Sequence, residues 1–117
     1  HPHLIFRVAV REVESWVMAD RQGFAKFAAV ALKRLPDKPD DLSDPKATLF
    51  EIIKKSKKRE LKDDILPRYS GDRMGPNYNG CLASFILQSW DMQNALRYSP
   101  SLKRAHNHLQ IFHKQVK

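Results

Sequence analysis

The chain has 117 residues, is 42% hydrophobic and 29% charged, and carries a formal net charge of +8 from 21 Lys+Arg against 13 Asp+Glu. That length holds one domain, 1–117, with a modest core. A single cysteine, Cys81, excludes an internal disulfide framework, and no apolar run approaches the ~20 residues of a membrane span, so the expectation is a cytoplasmic protein with no membrane association. The basic excess points toward an acidic partner, nucleic acid first, with plain solubility as the bland alternative.

The chain opens His1-Pro2-His3 with no methionine, which reads as a tag remnant or, in preference, as a cut inside a longer protein, so His1 and His3 are left out of the metal argument. Leu4 to Val10 is nearly continuously apolar apart from Arg7, the pattern of a strand covered on both faces. This is the one clear strand, spanning about residues 4–11. One strand cannot satisfy its own backbone groups. A missing sheet partner is therefore expected from the longer chain or a second protomer.

Beyond the strand the period becomes helical, with Val13, Trp16 and Val17 at helical spacing, then Gln22 to Ala31 with Phe24, Phe27 and Ala28 as its stripe. Leu35 to Pro45 holds three prolines and four aspartates and reads as a loop. Asp44-Pro45 then starts a helix, Asp as N-cap and Pro at the first position. Leu49, Ile52, Ile53 and Ser56 line one face of it, Glu51 pairs with Lys55, and it ends around Lys57 or Lys58. A short helix from Glu60 to Leu66 is stopped by Pro67. Arg68 to Gly80 reads as a polar Gly/Pro/Asn loop, and Cys81 to Trp90 as a helix with Leu82, Phe85 and Ile86 inward. Asp91 caps a helix through Leu96, and Ser99-Pro100 starts the last one, carrying Leu102, Ala105, Leu109 and Phe112. The expected class is an α/β fragment, mostly α-helical, hung on one N-terminal strand.

The strand runs into acids. Glu12 and Glu14 share a face if the backbone is extended and lie roughly 200° apart if it is helical. In the extended case both aim at one divalent cation, with Asp20 as a weaker third ligand. Mg²⁺ suits such oxygen ligands and completes its shell with water and substrate phosphate. The alternative is local: Glu12 and Glu14 as first-turn acids favoured by the helix dipole, and Asp20 as an N-cap.

Two basic features stand beside the acids. Lys54, Lys55, Lys58, Arg59 and Lys62 form the densest positive run, read either as phosphate contacts or as a solvated helix end. In the loop, Arg68 and Arg73 suit a phosphate and Tyr69 and Tyr78 suit stacking on a base, although no Gly-Lys-Ser/Thr follows the glycines. The alternative is a surface loop folded onto the domain by Tyr78. Cys81 reads as a small apolar residue. His106, His108 and His113 lack the i,i+4 spacing of a zinc pair, and nothing marks a Ser or Cys nucleophile.

The segment Val10-Arg11-Glu12-Val13-Glu14-Ser15-Trp16-Val17-Met18-Ala19-Asp20 resembles the signature of a bacterial domain-of-unknown-function family, number 4276, as do Asp44-Pro45-Lys46 and Gly75-Pro76-Asn77-Tyr78-Asn79. The resemblance implies a Toprim-like α/β fold, related to metal-dependent nucleases and often near phage-defence genes. Glu12 and Glu14 then carry the catalytic acidic role in a Mg²⁺-dependent enzyme acting on nucleic-acid phosphodiesters. The first glutamate and the Asp-rich strand of such domains do not precede Leu4, so this chain corresponds to the C-terminal half and is expected to be inactive alone. The alternative function is a non-catalytic basic helical module that binds nucleic acid or a protein partner.

Overall fold

A computed structural model describes the backbone of residues 13–116 and the side chains of residues 13–108. Helix α1 covers residues 13–19, and α2 runs Arg21–Ala28. Two 3-10 turns, Leu32–Arg34 and Pro39–Asp41, lead to α3 (Pro45–Lys54) and α4 (Arg59–Ile65). Then come α5 (Tyr78–Gln88), α6 (Met92–Tyr98) and α7 (Pro100–Val116). Four helices begin in the same way, with a short polar side chain accepting from the third helical amide. Asp20 takes the Gly23 N–H, Asp44 that of Ala47, Asp91 that of Asn94, and Ser99 that of Leu102. Each such bond satisfies one of the amides that a helix start leaves without a partner.

Every regular element among the described residues is helical, which corrects the expected α/β class and with it the C-terminal half of a Toprim-like sheet domain. The strand expected at about 4–11 lies outside the described residues. Its extension through Glu14 does not occur, because residues 13–19 form α1. The physical reason is that this stretch is buried around much of its circumference rather than on alternate residues: Ser15, Val17, Met18 and Ala19 all lose their exposure. Helices also pair their backbone groups internally, so nothing among the described residues requires a partner strand.

The packing forms two apolar clusters. The larger gathers Val17 and Met18 of α1, Phe24 and Ala28 of α2, Leu49 and Ile53 of α3, Ile65 of α4, and Tyr78, Leu82 and Phe85 of α5. Inside it Phe24, Phe27 and Phe85 meet with ring centroids 4.8–5.8 Å apart in tilted and edge-on pairs, geometries that suit the ring quadrupole. The smaller cluster joins Ala19, Ala95 and Leu102, with Trp16, Leu96 and Tyr98 packed against it. Trp90 touches both. Its Nε1 donates to the Trp16 carbonyl at 3.0 Å, while Trp16 Nε1 donates to Ser101 Oγ at 2.8 Å.

Local boundaries depart from the sequence reading where loops fold back. Helix α3 stops at Lys54, and Glu51 pairs with Lys54 at 2.9 Å rather than with Lys55. Helix α5 starts at Tyr78, ahead of the expected Cys81. The loop before it is pinned to α4: Gly75 N donates to the Ile65 carbonyl at 2.8 Å and Asn77 N to the Asp64 carbonyl at 2.9 Å. A Cβ on Gly75 would lie 2.4 Å from the Asp64 oxygen, so only glycine permits this approach. Arg21 fastens the other long loop, donating to the Leu35 and Pro36 carbonyls and pairing with Asp37 at 3.2 Å. Helix α2 ends at Ala29, a non-glycine residue at φ 56°, with Val30 N bonded back to the Ala25 carbonyl, as in a Schellman motif.

Ala29→Gly relieves that left-handed alanine and should raise the unfolding free energy by about 0.5–1 kcal/mol in denaturant titration; a loss of stability would show that Ala29 is not strained. Asp20→Ala leaves buried amides without an acceptor and should cost about 3 kcal/mol or more. Asp44→Ala at an exposed cap should cost about 1 kcal/mol. Equal losses in the two variants would contradict the special status given to Asp20.

Candidate functional site

The three expected metal ligands meet different fates. Glu12 lies outside the described residues. Glu14, on α1, is half-buried and accepts the Tyr78 hydroxyl at 2.7 Å. Asp20 follows α1 and is 2% exposed. Its Oδ1 accepts from Gly23 N at 3.2 Å and Asn94 Nδ2 at 2.8 Å, and its Oδ2 accepts from Asp91 N at 2.8 Å. Asp20 thus caps α2 and also holds the residue that caps α6. A Mg²⁺ ion at Asp20 would have to displace these donors, and among the described residues no three His, Cys, Asp or Glu side chains converge on one point. The described carboxylates do not fit the expected ion. A shallow depression of about 310 Å³ beside Asp20 is lined by Gln22, Gly23, Ser89, Asp91 and Asn94, and Asn94 spans it by donating to Gln22 as well.

A second carboxylate, missed in the sequence, works in the same way. Asp40 accepts from Ser99 Oγ at 2.6 Å, Ser101 N at 2.7 Å and Ser101 Oγ at 3.0 Å, which fixes the start of α7 from the proline-rich loop. The Ser99-Pro100 start was a visible signal; its distant partner was not.

The basic run falls at the corner where α3 ends and α4 begins. Lys54, Lys55, Lys57, Lys58 and Arg59 are all exposed, and Lys62 is half-buried further along α4. Lys54 is paired with Glu51, and Lys58 Nζ donates to the Phe27 carbonyl at 3.2 Å near the end of α2. Lys55, Lys57 and Arg59 have no carboxylate partner among the described residues. Lys54 and Lys55 sit at the negative end of α3, where the dipole welcomes them. Lys58 and Arg59 sit at the positive end of α4, where it does not. A depression of about 460 Å³ at this corner is lined by Lys58, Arg59, Glu60, Leu61 and Asp64.

The loop after α4 separates its two tyrosines. Tyr78 is buried, its ring edge-on to Phe50 at 5.8 Å with Lys46 Nζ 5.0 Å from its centroid, so its face is already occupied. Burial, followed by the Glu14 hydrogen bond and charge, pushes the Tyr78 phenol far above its ordinary range. Tyr69 is 74% exposed, between the exposed Arg68 and Arg73. Cys81 is half-buried, with Asp64 Oδ2 3.8 Å from its Sγ. Burial first, then the Asp64 charge, pushes its thiol up, which disfavours the nucleophilic thiolate.

Compared with family models, with curated proteins and with solved structures, the chain matches none of them. Among the described residues no helix is long and apolar enough to cross a membrane. The functional reading therefore rests on the side chains themselves.

The Tyr78 phenol makes stability pH-dependent. Unfolded tyrosine loses its proton near pH 10.0 while folded Tyr78 keeps it, so its contribution is full below that pH and falls as pH rises above it. In denaturant titrations above pH 10.0, Tyr78→Phe should show a slope shallower by up to about 1.4 kcal/mol per pH unit; identical slopes would show that the fold does not hold the Tyr78 phenol protonated.

Proposed function

We propose that this protein is a non-catalytic basic helical module that binds the sugar-phosphate backbone of nucleic acid through the α3–α4 corner. The observation that carries the reading is the placement of Lys58 and Arg59 at the positive end of a helix, next to Lys55 and Lys57. Lysines at a helix C-terminus are explained by the dipole. Cations at a helix start raise an unfavourable potential, which Glu60 in the same turn and the Phe27 carbonyl bonded to Lys58 Nζ offset in part, while Lys55, Lys57 and Arg59 have no carboxylate partner among the described residues. A phosphate backbone turns that potential into affinity through counterion release.

Binding of this kind reads charge spacing and not sequence, and needs no metal. A catalytic role for Glu14 or Asp20 finds less support, because both carboxylates already accept internal hydrogen bonds. Lys54 and Lys62 border the corner and add to its field.

Fluorescence anisotropy with a labelled oligonucleotide should show affinity that falls steeply with salt and does not fall when Mg²⁺ is replaced by EDTA. Lys55→Gln, Lys57→Gln and Arg59→Gln together should weaken binding and flatten the log–log salt slope by about 0.9 per lost duplex phosphate contact. An unaltered slope in the triple variant, or binding that requires Mg²⁺, would overturn the proposal.

A further inference from the structure

We propose that the turn at residues 68–73 is a single-strand contact, in which Tyr69 stacks on an unpaired base while Arg68 and Arg73 hold the neighbouring phosphates. The inference rests on the backbone-binding reading of the α3–α4 corner and adds the form of nucleic acid that the protein prefers. Tyr69 is the one exposed Phe, Trp or Tyr side chain among the described residues. The other described tyrosines have covered faces: Tyr78 is buried, and Arg21 lies 5.4 Å over the ring of Tyr98.

The tip is built rather than loose. Asp72 N donates to the Tyr69 carbonyl and Asp72 Oδ2 accepts the Tyr69 N–H, both at 3.1 Å. Gly71 holds φ 93° at the third position, the pattern of a type II turn. The backbone therefore carries the phenol ring on a fixed support, and little ordering remains to be done on binding. The flanking charges complete the arrangement. Arg68 uses Nε on the Asp63 carbonyl at 3.4 Å, which leaves its terminal nitrogens, and Arg73 has no hydrogen bond or ion pair among the described residues. Within residues 68–73 two guanidiniums accompany one carboxylate, Asp72, one oxygen of which is already engaged.

An aromatic face and two phosphate-binding forks distinguish single strands from duplex. A duplex hides its base faces inside the stack, whereas an unpaired base offers its face to any aromatic ring, whatever its sequence. The turn follows α4 at the end opposite Arg59, a helix about 10 Å long.

The test compares oligothymidine with a blunt duplex of equal length, by anisotropy across a salt series, for wild type, Tyr69→Ala and Tyr69→Phe. Tyr69→Ala should weaken oligothymidine binding about tenfold and leave duplex affinity and both salt slopes unchanged. Tyr69→Phe should keep the wild-type preference, since the ring rather than the hydroxyl makes the contact. Photocrosslinking of iodouracil-substituted single strand should map to Tyr69 by peptide mass spectrometry. If Tyr69→Ala affects both ligands equally or neither, or the crosslink maps elsewhere, the single-strand inference fails while the backbone reading stands. If wild type binds neither ligand at low salt, both fail.

Discussion

A single buried carboxylate holds the arrangement of helices together. Asp20 follows α1, caps α2 and accepts the backbone N–H of Asp91, so three helix termini are referred to one side chain. At 2% exposure it has lost its water, and three N–H donors replace that hydration. A buried charge of this kind is tolerable only when its lone pairs are satisfied. Those donors are fixed by the helices that they begin, so the charge and the helix packing hold each other in place. Gly23 shows how close the fit is: a Cβ there would fall 2.0 Å from Asp20 Oδ2.

The same economy shapes the surface. Asp20, Asp40, Asp44 and Asp91 are engaged as caps or staples, Glu14 takes the Tyr78 hydroxyl, and Asp72 closes the 68–73 turn. Of these, Asp20 is buried and Glu14 and Asp40 are half-buried, whereas Asp44, Asp72 and Asp91 stay exposed and keep their charge at the surface. Within the net charge of +8, the densest run of cations lies at the α3–α4 corner.

Local signals were legible in the sequence, and long-range ones were not. Asp44-Pro45, Asp91 and Ser99-Pro100 announced helix starts because an N-cap and its amide are neighbours in the chain. Asp20 was readable as a cap for the same reason, but its hold on Asp91 and Asn94 was not, since those residues are remote in sequence. The bond from Asp40 to Ser101 was equally invisible. The surface-loop alternative for Arg68 to Gly80 already folded Tyr78 onto the domain, where it is buried, but Glu14, the remote acceptor that offsets the cost of burying its hydroxyl, was not legible. The class assignment failed because a single apolar run was allowed to define a sheet, while the helical period from Val13 onward governs the described fold.

The two apolar clusters share Trp90, while Trp16 packs with the smaller one. Their indole N–H groups form a chain, Trp90 Nε1 to the Trp16 carbonyl and Trp16 Nε1 to Ser101 Oγ. Neither indole is enclosed within the larger cluster alone. Intrinsic emission from this protein consequently reports the smaller cluster through both indoles and the phenylalanine-rich core through Trp90 alone. An optical melt followed at that wavelength and one followed by helical circular dichroism observe different parts of the molecule, and any gap between them measures how independently the C-terminal helices open.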